Sequence, residues 1–444
     1  MSRTQLAFAL DKIDSESDLR AVVAALLGEE KQPVTPALLS STRRLIREGH
    51  DPLGEAYSRI FSAATRRETG TTFTPPAIVA QMLDLASVQL PAPKRIVDCG
   101  AGSGRFTLAT LRRFRTAHVI ACELNPLLAL VIQASAQAAG LSSRLEIVTA
   151  DFRELELSPC DGPTLFIGNP PYVRHHDIEP RWKRWYQAGL AAHAVAGSQL
   201  AGLHLHFFLR ARQLAQAGDA GCFITSAEWL DVNYGVSLRQ LLLNGLGGRT
   251  VHLFPAAQSL FADALTTSAI TTFQVGGNFP GIGFVGSPSP NRQITHWVPA
   301  RELHQARAWS AFAQTQPAAA TEATAQLGDY FKISRGQVTG LNRVWIASGS
   351  RGNTPPRYPP RACFPPSPTP TKSLLSLASR SPMRGSCGAW STCPPTSTRY
   401  HSASAQLWPN FSPGPSARAH GEAMSSAIAN RGGASASRRR RPSS

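Results

Sequence analysis

Residues 164–172, Thr-Leu-Phe-Ile-Gly-Asn-Pro-Pro-Tyr, decide the fold because they lead a buried strand into a rigid turn. The apolar run at 165–167 predicts the strand, and Gly168 ends it. Pro170 and Pro171 fix their own φ angles, and a proline keeps the residue before it out of the helical region. Ligands of open α/β sheets bind beyond the carboxyl ends of the strands, so we expect this turn to face a ligand.

The groups that this turn holds suit a flat substrate with an amino group. The amide oxygen of Asn169 and the backbone carbonyl of Pro170 can both accept hydrogen bonds from one amino group. Tyr172 can stack on the ring that carries the amino group. The alternative interpretation is a Pro-Pro surface turn in which Tyr172 serves only packing.

Strand and helix patterns alternate on both sides of the turn. Seven apolar runs predict strands at residues 96–99, 117–122, 145–149, 164–167, 221–225, 250–254 and 269–274. Helical patterns occur at residues 105–115, 126–139, 203–217 and 235–244. This alternation predicts an α/β fold with a mostly parallel seven-stranded sheet and helices on both faces. The last two strands are close enough in sequence to pair antiparallel.

A glycine-rich loop follows the first predicted strand. Gly100, Gly102 and Gly104 recur at every second position, which differs from the G-x-G-x-x-G pattern of dinucleotide sites. Asp98 opens the loop and would repel a pyrophosphate, but it would attract a ligand with ammonium and sulfonium groups, such as S-adenosylmethionine. The glycines let the backbone approach such a ligand closely. The alternative is a tight structural turn.

Acidic residues also end the next two strands. Glu123 follows Asp98 by about 25 residues, where a carboxylate typically accepts from both ribose hydroxyls of a cofactor. Asp151 ends the third strand and can accept from an adenine amino group, while Phe152 can pack on the adenine ring. Each acid alone could be an exposed strand end. Three of them on one sheet edge predict a cofactor site.

Composition divides the chain into four segments. Helical spacing predicts a helical arm at 1–69, and the strand–helix alternation predicts a catalytic domain at 70–275. Thr74 is expected to be the N-cap of a helix that begins with Pro75 and runs through about Ala86. Gly, Pro and Ser indicate a linker at the start of 276–347. Residues 348–444 are rich in Pro, Ser and Arg and are predicted to be disordered.

Charge and cysteine content limit the function classes. The net charge of +17 is typical of proteins that bind nucleic acid, although residues 346–444 carry +12 of it. The seven cysteines include no C-x-x-C pair, which indicates a reducing cytoplasm and no zinc site. No apolar run reaches the ~20 residues that span a bilayer, and residues 1–10 lack the pattern of a signal peptide.

These motifs together resemble the gamma class of DNA adenine-N6 methyltransferases from restriction–modification systems. The resemblance covers about residues 50–347 and includes a Gly–Thr-Pro segment at 70–75, the glycine loop, the ribose acid, the Asp-Phe pair and the Asn-Pro-Pro-Tyr turn, in this order. It implies a Rossmann-like class I methyltransferase fold, with S-adenosylmethionine as cofactor and no metal. Thr74 would then belong to the cofactor site.

The resemblance also implies a mechanism and partners. Adenine in double-stranded DNA would be rotated out of the helix, held by the turn, and stacked on Tyr172 and on Phe261 in the loop at 259–264. Residues 327–340 resemble the start of the target-recognition domain, and a cognate restriction endonuclease is the expected further partner. Beyond that point the likeness ends, and we expect a truncated or frameshifted recognition domain. His204 stands where the family usually has a tyrosine.

Two other functions share the same motifs. Asn-Pro-Pro-Tyr also occurs in enzymes that methylate a glutamine amide of release factors or an amino group of ribosomal RNA bases. Alternatively, the chain binds cofactor or DNA without catalysing a reaction, because its recognition domain is incomplete. The Thr-Pro segment and residues 327–339 favour DNA as the substrate.

Overall fold

A nine-stranded sheet forms the centre of the computed structural model, which describes residues 12–29, 33–68, 70–254, 267–277, 279–286 and 296–313. The strands are β1 (Arg95–Cys99), β2 (His118–Glu123), β3 (Leu145–Thr149), β4 (Thr164–Gly168), β5 (Ala220–Ser226), β6 (Gly248–Phe254), β7 (Ser268–Gln274), β8 (Gly281–Val285) and β9 (His296–Pro299). Their order is β3-β2-β1-β4-β5-β7-β6-β8-β9. Strands β3, β2, β1, β4 and β5 are parallel, and β7 pairs antiparallel with β5 and β6. This arrangement confirms the mostly parallel, Rossmann-like class I methyltransferase fold.

The sheet has nine strands, so the expected number of seven was wrong. Strands β8 and β9 extend the edge beyond β6, and β8 lies in the segment whose Gly, Pro and Ser content predicts a linker. All five residues of β8 are buried. Gly281 is needed there because a Cβ would collide with the Val298 carbonyl of β9. Gly281 therefore serves close backbone packing rather than chain flexibility.

Eleven helices surround the sheet in the described part of the chain. They are α1 (Glu16–Leu27), α2 (Pro36–Arg47), α3 (Pro52–Ile60), α4 (Ala63–Glu68), α5 (Pro76–Gln89), α6 (Arg105–Arg113), α7 (Pro126–Ala139), α8 (Pro180–Ala191), α9 (Leu203–Leu214), α10 (Val236–Leu241) and α11 (Ala300–Gln305).

Both faces of the central strands are buried, as parallel strands require. Ile96 and Leu165 pack with α5 and α6 on one face, whereas Val97 and Phe166 pack with α9 on the other. Each fully buried side chain of this size contributes ~1.5–3 kcal/mol. Successive side chains of a strand point to opposite faces, and both faces are buried here. Neighbouring positions are therefore mostly apolar, which explains the continuous apolar runs in these strands.

The N-terminal helices pack on α7 rather than standing apart from the sheet domain. Leu19 and Leu26 of α1 belong to one apolar cluster with Leu128 and Val131 of α7. A capping box at Ser15 starts α1. The helical arm is therefore attached to the element that follows Glu123.

Thr74 is not the N-cap that its position predicts. Helix α5 begins one residue later than expected, with Pro75 as N-cap, Pro76 as the first helical residue and no side-chain cap. It also continues to Gln89, past Ala86. Proline is favoured at the first helical position because its φ angle is already helical, and here the second proline takes that position.

Several predicted features lie outside the described residues. They are Phe261 with its loop, the residues that resemble a recognition domain, and the Pro/Ser/Arg-rich segment 348–444. Among the residues that the structure describes, no helix combines the length and the apolar composition needed to cross a lipid bilayer.

Candidate functional site

The Asn-Pro-Pro-Tyr turn leaves β4 directly beside the glycine loop that leaves β1. A Cβ built on Gly168 would come 2.8 Å from the backbone oxygen of Cys99, so the two strand ends approach closely. A Cβ on Gly100 would lie 3.6 Å from Cδ of Pro171. The structure thus brings together the two motifs that the sequence indicated as substrate and cofactor sites.

Asn169 presents a free acceptor at this junction. Its Nδ2 group donates a 3.2 Å hydrogen bond to the Thr72 carbonyl, and this bond assigns the orientation of the amide. Oδ1 is buried and has no partner among the described residues. A buried oxygen without a partner is costly, unless a ligand supplies the missing donor.

Pro170 and Tyr172 complete the turn. Pro170 is buried, and Tyr172 is half-buried with its ring 6.1 Å from the ring of His204. The Tyr172 hydroxyl is covered and has no partner in the described part of the chain. Burial raises the pKa of this hydroxyl above its usual range. Tyr172 is therefore a neutral aromatic group beside Asn169.

The Thr-Pro segment at 70–75 lies against the same turn. Gly70 has a φ angle of +68°, and a Cβ there would come 2.8 Å from the Tyr172 nitrogen and 2.9 Å from Cβ of Pro171. Thr74 is buried within the segment. Only glycine combines this backbone conformation with this approach, which explains the glycine that precedes the threonines.

Asp98 is fully buried at the end of β1. Thr107 of α6 donates a 2.6 Å hydrogen bond to Oδ2, while Oδ1 has no partner among the described residues. Burial raises the pKa of the carboxyl group to about 7, although the hydrogen bond from Thr107 opposes this shift. The group therefore takes up a proton much more readily than an exposed aspartate, and a cationic ligand would favour its charged form.

Glu123 already binds the glycine loop. Oε2 accepts a 2.7 Å hydrogen bond from the backbone N–H of Gly102, and Oε1 accepts a 2.9 Å hydrogen bond from that of Asn125. Burial raises the pKa of Glu123, and both hydrogen bonds oppose this shift. Each carboxylate oxygen keeps a second lone pair, so the side chain can still accept from hydroxyl groups.

Asp151 has a different environment from the one expected. Its two oxygens accept hydrogen bonds from the guanidinium of Arg153, at 3.1 Å or less, and Oδ1 also accepts from the Arg153 backbone. The same guanidinium lies 3.9 Å from the centre of the Trp182 ring. An arginine two residues after the acid is the signal in the sequence for this bidentate pair.

Phe152 is buried and packs on Phe207, with ring centroids 4.9 Å apart. Phe207 in turn lies 3.5 Å from the position of a Gly100 Cβ. Phe152 therefore supports the loop through Phe207. At the neighbouring strand end Leu124 is 63% exposed and offers an apolar surface that the sequence analysis missed. A large apolar residue directly after a strand-end acid is the signal that could have found it.

Comparisons with known proteins find relatives of this chain among methyltransferases. The Eco57I restriction-modification methylase family model matches residues 164–261, which begin at β4. Type II methyltransferase M.XamI of Xanthomonas campestris pv. amaranthicola is 43% identical over 311 residues, which are 69% of this chain and 57% of that protein. The chain therefore spans little more than half the length of this relative.

Two more distant proteins share parts of the chain. The release factor glutamine methyltransferase of Moorella thermoacetica is 35% identical over 80 residues, 18% of this chain and 27% of that protein. The solved type I restriction-modification methyltransferase subunit from Streptococcus thermophilus has a TM-score of 0.44 and 15% identity, and covers 63% of this chain and 67% of its own. Over the segment that carries the proline turn, the chain is similar to restriction–modification methylases.

Proposed function

We propose that this chain transfers a methyl group from S-adenosylmethionine to the N6 amino group of adenine in DNA, as part of a restriction–modification system. The observation that carries the proposal is the buried Oδ1 of Asn169, which has no partner among the described residues and is held by a double-proline turn beside Gly100. The likeness to M.XamI and to the Eco57I family model supports a methyltransferase of this kind.

The residues around the glycine loop fit S-adenosylmethionine. Gly100, Gly102 and Gly104 all have positive φ angles, and at these three positions the loop carries no side chain of its own. Asp98 offers the unpartnered oxygen for a cationic group, Glu123 offers lone pairs for the ribose, and Leu124 offers apolar surface. When bound, S-adenosylmethionine supplies an electrophilic methyl group on its sulfonium. Asp151 would contact the adenine only if its carboxylate accepted hydrogen bonds from the adenine and from Arg153 at the same time.

The turn would activate the substrate by orienting its amino group. The lone pair of an adenine amino group is delocalised into the ring, which makes the nitrogen a poor nucleophile. Asn169 Oδ1 and the Pro170 carbonyl would accept hydrogen bonds from the amino group and favour a geometry in which its lone pair is available. The methyl group would pass from sulfur to nitrogen, and the nitrogen would then release one proton to water. Pro171 keeps the turn rigid against the loop. The scheme needs no metal ion and no covalent intermediate.

Adenine must leave the duplex to reach this turn. Extruding a base costs a few kcal/mol, and stacking on an aromatic side chain returns ~1–3 kcal/mol per base. Tyr172 would provide such stacking, and the resemblance assigns a second aromatic contact to Phe261. Double-stranded DNA is thus the proposed substrate, a cognate endonuclease the proposed partner, and the cytoplasm the proposed location.

Nucleoside analysis of host DNA tests the proposal. The full chain is expressed in a host that lacks adenine methylation, and the DNA is digested and analysed by mass spectrometry. We expect N6-methyladenine with the wild-type chain and none with Asn169→Ala. If cells contain the folded wild-type chain and their DNA lacks N6-methyladenine, the proposal is contradicted.

One alternative has specific support. The 35% identity to a release factor glutamine methyltransferase covers only 80 residues, but it favours an amide of a protein as the acceptor. Methylated protein in the same cells, with unmodified DNA, would establish this alternative. A chain that binds cofactor but yields no methylated DNA, RNA or protein would instead be catalytically inactive.

A further inference from the structure

An aspartate of the N-terminal arm holds the glycine loop from outside the sheet domain. Oδ2 of Asp51 accepts a 2.6 Å hydrogen bond from the Ser103 hydroxyl and a 2.7 Å hydrogen bond from Nε of Arg105. Ser103 lies between the last two glycines of the loop, and Arg105 begins α6. Three short contacts therefore meet at one carboxylate, because Oδ1 also accepts from the Gly54 nitrogen at 2.9 Å.

Arg105 links this carboxylate to the Thr-Pro segment. Its Nη1 group donates a 3.0 Å hydrogen bond to the Thr74 carbonyl. The side chains of Arg105 and Asp51 are only 16% and 13% exposed. An ion pair with so little exposure is less screened than a surface pair, and its hydrogen bonds are charge-assisted. Arg105 also lies 3.9 Å from Oε1 of Glu55 in the arm, so the arm, the loop and the Thr-Pro segment are joined through this one arginine and its carboxylate partners.

The fit of the arm to the loop is close. A Cβ on Gly54 would collide with Asp51 Oδ2 and would come 2.5 Å from the Ser103 hydroxyl. Glycine at this position of α3 therefore leaves the space in which the carboxylate and the hydroxyl meet. Glycine inside a helix costs ~0.5–1 kcal/mol relative to alanine, so its presence here has a packing reason.

The arm also reaches the acid on the next strand. The Tyr57 hydroxyl of α3 accepts a 3.1 Å hydrogen bond from Nδ2 of Asn125. Asn125 caps α7 through its Oδ1, and its backbone N–H donates to Glu123. One helix of the arm therefore supports the glycine loop through Asp51 and the ribose acid through Tyr57.

We propose that Asp51 is a positioning residue of the cofactor site, which makes the N-terminal arm a working part of that site. The inference rests on the proposed use of S-adenosylmethionine. A loop with three positive-φ glycines has many conformations open to it, and ordering them on binding would weaken affinity. The contacts of Asp51 order the loop before the ligand arrives.

Asp51→Asn is the direct test. Asparagine keeps an oxygen for the cap on Gly54 but loses the nearer of the two charges that hold Arg105, and it leaves only Glu55 at 3.9 Å. We expect the Kd for S-adenosylmethionine, measured by calorimetry, to rise roughly 10-fold. The KM for S-adenosylmethionine should rise with it, while kcat at saturating cofactor and the KM for DNA stay near wild type. Ser103→Ala should shift the Kd in the same direction by less.

Thr35→Ala is the matched control. Thr35 caps α2 of the same arm through its hydroxyl, which accepts from the Leu38 nitrogen, and no hydrogen bond among the described residues joins this side chain to the loop. This variant should lower the thermal midpoint without changing the Kd. If Asp51→Asn lowers the midpoint in the same way and binds with wild-type affinity, the positioning role is wrong.

Hydrogen exchange separates this inference from the proposed function. Without cofactor, backbone amides at 100–104 should exchange faster in Asp51→Asn than in the wild type, and those of Thr35→Ala should not. Unchanged exchange in the loop would overturn the inference. If the wild-type chain fails to bind S-adenosylmethionine, both the proposed function and the role of Asp51 in positioning a cofactor are wrong. Faster exchange in Asp51→Asn would in that case show only that the arm orders the loop.

Discussion

Pro171 lies against Gly100, with its Cδ atom 3.6 Å from the place where a Cβ of Gly100 would stand. The two residues leave different strands, β4 and β1, which are neighbours in the sheet. Their contact puts the turn that would bind an amine next to the loop that would bind a methyl donor. Had the turn pointed away from the loop, no transfer between the two ligands would be feasible.

Asn169→Ala and Tyr172→Ala should both reduce methylation by at least about 100-fold. Alanine at 169 removes the acceptor that orients the amino group, and alanine at 172 removes the stacking surface. We expect cofactor binding to survive in both variants, because these side chains belong to the turn and not to the loop at 100–104. Methyl transfer to DNA and the Kd for S-adenosylmethionine are measured on the same samples. A loss of cofactor binding in both variants would show that the roles are misassigned.

Gly70→Ala should lower kcat as well as stability. The positive φ angle costs an alanine about 1–2 kcal/mol, and its Cβ would press on the backbone of Tyr172 and on Pro171. The turn must then move. Steady-state kinetics and urea unfolding measure the two effects.

Gly140→Ala provides the control for this strain. Gly140 has a φ angle of +70°, and a Cβ there would meet nothing within 4 Å. This variant should lose a similar free energy of unfolding and keep its kcat. Equal kcat values for the two variants would mean that the contact with the turn is unimportant.

Glu123→Gln should weaken cofactor binding about 10-fold or more. Glutamine has only one acceptor oxygen, so its NH2 group would face the backbone N–H of either Gly102 or Asn125. That N–H donor would lose its partner. A buried unpaired donor costs about 1–3 kcal/mol. Calorimetric titration and urea unfolding check the two consequences. Glu146→Gln, at an exposed position of β3, should change neither, and an equal effect there would point to a general loss of charge.

His204 should make the folded state acid-sensitive. Burial lowers its pKa to about 4, from an ordinary value of 6.5. Between these values the unfolded chain binds the proton and the folded chain does not, so stability falls as the pH falls from 6.5 to 4. The shift in the pKa of His204 therefore lowers the free energy of unfolding at pH 5 by about 2 kcal/mol relative to pH 7.

His204→Gln should therefore reduce the loss of unfolding free energy between pH 7 and pH 5 by about 2 kcal/mol. Urea unfolding at the two pH values measures it. His206 is also buried, and burial lowers its pKa to about 3, so part of the acid sensitivity should remain. The exposed His118→Gln should keep the wild-type difference. If His204→Gln loses as much unfolding free energy between pH 7 and pH 5 as the wild type does, the imidazole of His204 is protonated in the folded chain.

Local sequence patterns were sufficient to predict most of the elements. The apolar runs and helical periods anticipated strands β1 to β7 and helix α7 to within two residues, because burial on one or both faces imposes those periods. Motif spacing also predicted which residues meet at the sheet edge, since parallel strands end on the same side. The Gly, Pro and Ser content of 276–292 predicted a linker, but the segment contains β8, in which Gly281 serves close packing.

By itself, therefore, the sequence determined the layered α/β fold, the glycine loop and the proline turn, since each depends on neighbouring residues. Only the tertiary structure decided that β7 inserts between β5 and β6, and that Asp51 holds the loop from 52 residues away along the chain. Such contacts depend on how distant segments pack, and a single carboxylate or strand carries no local mark of the partner it will meet.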